Sequence, residues 1–583
     1  MAVIKNQLLK FGKFVIIITL FIFFASIQSS ALSVTISTPE VVKRFEGWGT
    51  SICWWGTIIG KYSEMKRDSI CTLLFDTSGL GLNIIRYNIG GGEPTSHNHM
   101  GAGREIEGYK VSENAEYDWS RDATQRQILQ AAKSKINPNE FIAEAFSNSP
   151  PWWMTNSGCA SGGKDGASNL KSNYYKRFAE YLTDVVKHFS QEWGITFRTI
   201  EPFNEPISDW WKENGGQEGC HFSRNEQMTL IKLVSDYLKI NVLPSTEISA
   251  SDETGYNETF DTYNTFDSAT KALISQINTH GYSGTKRKEI HDVVVRDNKR
   301  LWQSELDGSG AASPFDVWAH NHNDIVPGLD IAQRIIRDLK ELQPDAIITW
   351  QVVESEQAQI NLNKNWGCIH ADFNGGEKFY ITKKYYSVKQ FTKFIRIGSI
   401  LLNSSNPDAV AFVDMYRNKL IIVQRNATNA AVSYDYNLKE FKVVGEKASV
   451  WRTSVTENFA NLESIPISNN VVKTTSKEQS ITTYIIDIEN GPVKIQKRVE
   501  KKESQNGCTV RLSSKPDMLI IQNNNPGISE LTYYSVDGRV LYRNEIKTGM
   551  SYIPAPVGLN VVCITNNKRK TQTFSVVSYG KLD

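Results

Sequence analysis

The sequence predicts a (β/α)8 barrel in the α/β class, with an attached β-sandwich and a small C-terminal all-β unit, and three observations predict it. Between residue 45 and about residue 384, short β-rich runs alternate with amphipathic helical periods, the signature of repeated βα units around a parallel sheet. Beyond residue 385 the helical period gives way to strand-like alternation, as in LIIVQR, FKVVGEKASVW and SITTYIIDI. From Asn490 to Gly507 a stretch with Lys494, Lys497, Arg498, Lys501 and Lys502 has no apolar face to accompany its charges, so residues 491–507 read as a solvated linker. The 583 residues hold three or four units at roughly 150 residues each.

Taken in order, Lys5, Lys10 and Lys13 precede the apolar run Phe14 to Ala25, and Ser29-Ser30-Ala31 places small residues at cleavage positions. Residues 1–31 are therefore expected to be a signal peptide, with the chain exported and then secreted, periplasmic or held at the cell surface. About 12 apolar residues are short for a membrane span, and no later segment reaches the roughly 20 that a transmembrane helix needs. The strand words follow: FEGWG from Phe45, LNIIRYNIG from Leu82, FIAEAF from Phe141, FRTIEPFNEP from Phe197, EISAS from Glu247, INTHGY from Ile277, LWQSELD from Leu301 and AIITWQ from Ala346. Helices fall between them. Phe178, Leu182, Val185 and Phe189 recur at helical spacing within Tyr174 to Phe189, and Ile331, Ile335, Leu339 and Leu342 repeat the pattern before the last strand. Eight such units with enlarged loops fit a closed barrel over 46–384. An open doubly wound sheet is the alternative, but no GxGxxG follows a strand. In the tail, 508–583, YSVDGRVLY offers a DG turn between two strands.

Composition narrows the partners. The 65 Lys and Arg against 63 Asp and Glu leave a net charge of +2, too balanced for the basic field that nucleic-acid binding requires. The 14 Trp, 23 Tyr and 25 Phe fill cores and leave faces on which sugar rings can stack. Seven cysteines show no CxxC pair and no zinc spacing. Cys159 and Cys220 both lie in Gly-rich loops, and a disulfide between them is the expected pairing. His97-Asn98-His99 and His320-Asn321-His322 have no accompanying ligand cluster in the sequence and read as loop residues, so neither a metal nor a cofactor is expected. Gly90-Gly91-Gly92 lacks the GK[ST] ending of a phosphate loop.

In a barrel of this type, functional groups project from the C-terminal ends of the strands. Glu205 closes the fourth strand word and Glu305 the seventh, which sets two carboxylates across one mouth. Glycosidic bond hydrolysis requires such a pair, one protonating the departing oxygen and the other stabilising or capturing the oxocarbenium-like carbon.

The words GWGTSICWWG, NIIRYNIGGGE, SNSPPWWM, EPFNEP, SASDE, THGY and LWQSELD resemble glycoside hydrolase family 30, most closely its endo-β-1,6-galactanase branch, over about residues 33–490. The resemblance implies that the sandwich takes its first strand from before the barrel, so that 33–45 joins 385–490. It also implies Glu205 as acid/base and Glu305 as nucleophile. With those roles Asn204 can bond a sugar 2-hydroxyl, and Arg86 can hold Glu305 ionised, since a nearby cation lowers a carboxylate pKa. His280 and Tyr282, closing the sixth strand word, can hydrogen-bond Glu305, and Trp350 can floor the sugar. The pairs Trp54/Trp55, Trp152/Trp153 and Trp210/Trp211 are each expected to pack one ring and turn the other to the cleft. Glu93, Asn88 and Trp54 are the candidates for reading the sugar's 4-hydroxyl.

The implied activity is that of a retaining hydrolase acting as a monomer on a β-1,6-galactan of the arabinogalactan side-chain kind. The same scaffold hosts β-1,6-glucanase, β-xylosidase and glucosylceramidase-like activities, and a non-catalytic carbohydrate-binding protein is the alternative of another class. The tail around Leu531 to Leu541 resembles the C-terminal sorting domains of type IX secretion.

Overall fold

The computed structural model describes residues 31–39, 43–307 and 320–489, and from residue 508 onward seven strands together with residues 547–548. The expected signal peptide, apart from Ala31, lies outside the described residues. So do the 491–507 linker and the DG turn of the tail.

The chain opens with strand β1 (Leu32–Ser37), then enters eight strands: β2 (Gly47–Ser51), β3 (Ile84–Asn88), β4 (Ile142–Phe146), β5 (Thr199–Glu201), β6 (Glu247–Gly255), β7 (Ile274–Ser283), β8 (Arg300–Leu306) and β9 (Ala346–Thr349). They are hydrogen-bonded in sequence order and closed by parallel pairing of β2 with β9. Every one overlaps its sequence word, because strands covered on both faces read as continuous apolar runs. Helix Tyr175–Glu192 buries Phe178, Leu182, Val185 and Phe189 completely against the ring. Helix Val326–Glu341 does the same with Ile331, Ile335 and Leu339. Fully burying side chains of this size stabilises by about 1.5–3 kcal/mol each, which outweighs the intrinsic helix preference of the polar outer face.

The sequence words do not reveal two features. The ladders β6–β7, β7–β8 and β8–β9 all shift register near their C-terminal ends, at Ser251/Glu253, Thr279/His280 and Gln303/Leu306. Such bulges re-aim side chains, and here they lie beside the residues of the site. A three-stranded sheet also follows β9: β10 (Val353–Ser355), β11 (Ile369–Ala371) and β12 (Phe379–Ile381). Three-residue strands are too short to show a period.

The second domain orders nine strands into a ring. After β13 (Ile400–Ser404), β14 (Ala409–Asp414), β15 (Lys419–Asn426) and β16 (Val432–Asn437) come β17 (Lys447–Ser454), β18 (Ala460–Ser468), β19 (Val471–Ser476) and β20 (Ser480–Asp487). The N-terminal β1 completes the ring, antiparallel to β13 and parallel to β16. Helix Lys383–Thr392 joins barrel to ring. Thr453 and Thr483 hydroxyls donate to the Tyr386 and Gln390 carbonyls at 3.0 and 2.9 Å. The tail forms two antiparallel sheets from β21 (Cys508–Leu512), β22 (Met518–Asn523), β23 (Ser529–Ser535), β24 (Val540–Ile546), β25 (Gly549–Pro554), β26 (Gly558–Thr565) and β27 (Thr571–Ser578). No helix among the described residues is long and apolar enough to cross a membrane.

Candidate active site

Glu205 lies just beyond β5 with φ 47°, a left-handed backbone that costs a non-glycine residue energy and persists where surroundings impose it. Its N–H donates to the Asp252 carbonyl at 2.9 Å, and its own carbonyl accepts from the Trp211 indole at 3.0 Å. Gly219 lets that indole sit there, since a Cβ at 219 would come within 2.0 Å of the ring. Glu305 is held inside β8, and the β7 register shift brings His280 opposite it. His280 Nδ1 lies 3.1 Å from Glu205 and 3.3 Å from Glu305. The two carboxylates and the imidazole offer atoms that all fall within 4.8 Å of one another. Tyr282 completes the group, donating to Glu305 Oε2 at 3.2 Å.

Beneath this pair lies a charged floor. Arg86, with no exposed surface, reaches Glu144 at 2.9 Å, Asp252 at 2.5 Å and Glu305 at 3.1 Å, and its guanidinium lies 4.2 Å from the Phe146 ring centre. Glu144 also accepts from Thr199, Ser249, Gln276 and Asn278. Burial works to raise the Asp252 pKa, but Arg86 and His280 overcome it and hold that carboxyl well below the usual range. Glu305 goes the other way. Arg86 and His280 pull it down as expected, yet burial outweighs them and the group stands at about 7. Glu201, buried beside Asp252 and Glu144, is pushed far upward by burial first and those charges second, against a smaller downward pull from Arg86. Burial opposes charge on His280, but Glu305 and Asp252 lift it to about 10.

That last shift has a sign that solution work can check. An imidazole whose pKa rises on folding, here from about 6.5 unfolded, contributes stability fully present below that value and lost as pH climbs through about 10. Between pH 7 and 10 the stability of the wild type is expected to fall with a slope reaching about 1.4 kcal/mol per pH unit from this proton. His280→Asn should be flatter over the same window in denaturant melts. Parallel slopes would remove His280 as the cause.

The remaining expected residues divide. Asn204 is buried with its amide oxygen unpartnered. Trp54 and Trp350 meet edge to face at 5.2 Å in a cluster with Phe146 and Ile106, and the Trp54 indole N–H is buried without a partner. In each tryptophan pair Trp55, Trp153 and Trp211 are buried, and Trp210 is 50% exposed, while Trp152 packs only partly buried against the core. Asn88 and Glu93, expected to read a sugar hydroxyl, have partners within the protein. Asn88 donates to Glu218 at 2.8 Å and accepts from Asn148 at 3.0 Å. Glu93 accepts from the Ala160 N–H at 2.6 Å and lies 2.8 Å from His97. Both brace neighbouring loops through these contacts.

The expected Cys159–Cys220 disulfide is absent, and both thiols are free and buried. Their loops do meet, with Gly219 N–H donating to the Ala160 carbonyl at 2.9 Å. The side chains, however, turn to different neighbours, Cys159 to the His97 ring at 3.6 Å and Cys220 to the His221 carbonyl at 3.6 Å. The histidine motifs lie in loops, and the fold gives them partners that are distant in sequence. His97 joins Glu93 and Cys159, and His320 and His322 join Glu356 and His370, each set bringing potential metal-ligating atoms within 4.8 Å of one another. Burial pushes the His370 pKa down to about 4.

Sequence reasoning missed Glu144, Asp252 and Glu201 as parts of the site. The signal was present. A carboxylate inside a strand word such as FIAEAF must face inward, and a buried charge demands a partner, here the equally enclosed Arg86.

A family model described as O-glycosyl hydrolase family 30 matches residues 31–294. An endo-beta-1,6-galactanase of Hypocrea rufa is 30% identical over 450 residues, covering 72% of this chain and 87% of that protein. An exo-beta-1,6-galactobiohydrolase of Bifidobacterium longum subsp. longum is 24% identical over 595 residues, covering 79% of this chain but only 39% of that longer protein. Among solved structures, a conserved exported protein from Bacteroides fragilis superposes with a TM-score of 0.64 at 18% identity, over 78% of this chain and 100% of the other. The catalytic domain of GH30 xylanase C from Talaromyces cellulolyticus gives 0.60 at 18% identity, over 78% and 99%. At such identities the superpositions speak for the fold.

Proposed function

This chain belongs to O-glycosyl hydrolase family 30, and from that premise we propose that its cleft hydrolyses β-1,6-linked galactan with retention of configuration. The observation that carries the mechanism is the closeness of the carboxylates: Glu205 and Glu305 offer oxygens within 4.8 Å of each other. Inverting enzymes hold theirs about 6.5–9.5 Å apart to admit a water, whereas retaining enzymes use about 5–5.5 Å.

Glu305 acts as nucleophile. Hydrogen bonds from Arg86 and Tyr282 aim its carboxylate and favour the anion. Glu205 gives its proton to the departing glycosidic oxygen as Glu305 bonds to the anomeric carbon. Glu205 then takes a proton from the water that breaks the glycosyl ester. His280, charged at neutral pH, lies within reach of both carboxylates and favours the anionic form of Glu305 between them. Asn204 faces the 2-hydroxyl, and Trp54 and Trp350 supply the apolar wall.

The galactan reading is supported by the two relatives whose names specify β-1,6-galactose linkages, and the higher identity of the endo-acting one, matched over 87% of its own length, favours internal cleavage. The test is a product profile on β-1,6-galactan, β-1,6-glucan and xylan, with proton NMR of the first product. Short galacto-oligosaccharides released first as the β-anomer are expected. Initial α-anomer would overturn the retaining mechanism, and equal rates on glucan would overturn the sugar assignment.

Export fits a polysaccharide substrate and the similarity to an exported protein, and the tail serves as an address rather than part of the site. A chain ending at about residue 492 is therefore expected to hydrolyse soluble oligosaccharides at the full-length rate while changing its destination in the cell. Loss of most activity in the folded, truncated enzyme would contradict that assignment.

A further inference from the structure

Three imidazoles and one carboxylate converge beyond the C-terminal ends of β8 and β9, away from the residues given catalytic roles. His320 and His322 precede helix Val326–Glu341, Glu356 opens helix Glu356–Leu362, and His370 is the middle residue of β11. Glu356 Oε2 lies 2.9 Å from His322 Nε2, 3.1 Å from His370 Nδ1 and 3.4 Å from His320 Nε2. The four ligand atoms all fall within 4.8 Å of one another.

Hydrogen-bond direction fixes what these atoms present. His370 Nε2 sits 2.7 Å from the Trp366 carbonyl oxygen. A carbonyl only accepts, so Nε2 carries the hydrogen, and Nδ1 of the neutral ring is a lone pair. That lone pair is fully buried, has no hydrogen-bond partner and faces a carboxylate oxygen. His320 Nε2 is likewise buried and unpartnered. Acceptors turned toward one point repel unless a cation lies among them. Metal–nitrogen bonds of about 2.0–2.1 Å and metal–oxygen bonds of about 2.0–2.2 Å in a tetrahedron set ligand atoms roughly 3.3–3.5 Å apart, close to the separations around Glu356. The outer shell fits too. A metal-binding histidine characteristically gives its second N–H to a carbonyl or carboxylate, as His370 does to Trp366, and the His322 ring is steadied by stacking on Tyr380 of β12 at 4.7 Å.

We propose that His320, His322, Glu356 and His370 form a structural site for one Zn²⁺-class ion, joining the residues just before helix Val326–Glu341 to the β10–β11–β12 sheet. Three nitrogens and one carboxylate oxygen suit zinc and its late first-row neighbours rather than magnesium or calcium. Four protein ligands leave no open position for a reacting water, so the ion holds structure and takes no part in hydrolysis. A metal needs the imidazole lone pairs and the carboxylate free of protons, so affinity falls as pH is lowered. The Glu93–His97–Cys159 set is the weaker candidate, because both Glu93 oxygens are already engaged and the buried Cys159 thiol is shifted away from ionisation, chiefly by burial.

The test is titration of chelator-treated enzyme with Zn²⁺ alone against a competing chromophoric chelator, and with Co²⁺ read by its visible spectrum. One ion per chain is expected, with the intense visible bands of tetrahedral cobalt. His322→Ala and His370→Ala should each weaken zinc by at least about 100-fold, and His97→Ala should leave it unchanged. The partly exposed His322 carries the test if the His370 variant does not fold. Absence of binding at micromolar zinc, unaltered binding in His322→Ala, or loss confined to His97→Ala would each overturn the assignment.

Discussion

Glu305→Gln is expected to lower turnover by more than about 10⁴-fold on every substrate, including aryl galactosides with good leaving groups. No other group can form the covalent intermediate, and a nucleophile that acts as part of a unit takes most of the rate with it. The substitution keeps volume and hydrogen-bonding reach, so the folded enzyme should survive it. Glu205→Gln should behave differently. A leaving group that departs without a proton needs little acid assistance, so aryloxide release in the first turnover should stay near the wild-type rate. Galactan cleavage should fall by about 10²–10⁴-fold. Pre-steady-state kinetics would then show a burst of aryloxide followed by slow turnover, because Glu205 is also the base of the second step. Equal losses in the two variants on activated substrates would refute the division of roles.

Arg86→Met carries the largest expected cost in stability. The wild-type guanidinium is shared by Glu144, Asp252 and Glu305, and all four side chains are buried. Removing one partner of a buried ion pair costs about 3–5 kcal/mol because the remaining charge is left uncompensated. Three carboxylates left without their cation place the expected loss at the upper end of that range. A lower denaturation midpoint with an unchanged m-value would report it. Arg86→Lys keeps the charge but loses the fork that serves several acceptors at once, so it should fold with an intermediate midpoint and a reduced kcat. If Arg86→Met melts within about 1 kcal/mol of the wild type, the charged floor is not what positions Glu305.

The barrel was legible because enclosed strands are rich in apolar and β-branched residues, and eight such words alternate with helical periods such as that of Phe178, Leu182, Val185 and Phe189. Glu205, Glu305, His280 and Tyr282 were legible for a related reason: each polar residue closes an apolar word, and strand ends are where a barrel presents chemistry. What stayed hidden was partnership. Asn88 ends β3 and Glu93 lies in the loop after it, but only three dimensions reveal Glu218, Asn148, Ala160 and His97 as the groups that engage them. The Cys159 and Cys220 loops touch through their backbones while the thiols diverge, a distinction that Gly-rich composition cannot carry. The His320 cluster draws its ligands from one loop, the first turn of a helix and a three-residue strand, so no local spacing announces it. The bulges that set His280 against Glu305 leave no mark in the apolar pattern at all.

The strand that closes the second domain's ring also sets a timetable for synthesis. Thr35 of β1 hydrogen-bonds Ser405, 370 residues later in the chain, and its parallel partner β16 comes later still. At about 5–20 residues per second of translation, β1 waits roughly 20–70 s for its first neighbour, while the entire barrel is made in between. For that interval it is an unpaired edge, Val34 and Ile36 alternating with polar residues, and such edges recruit other chains. The ring therefore becomes complete only after the barrel has been made, and the nascent protein's vulnerability lies in its first strand, far from the chemistry.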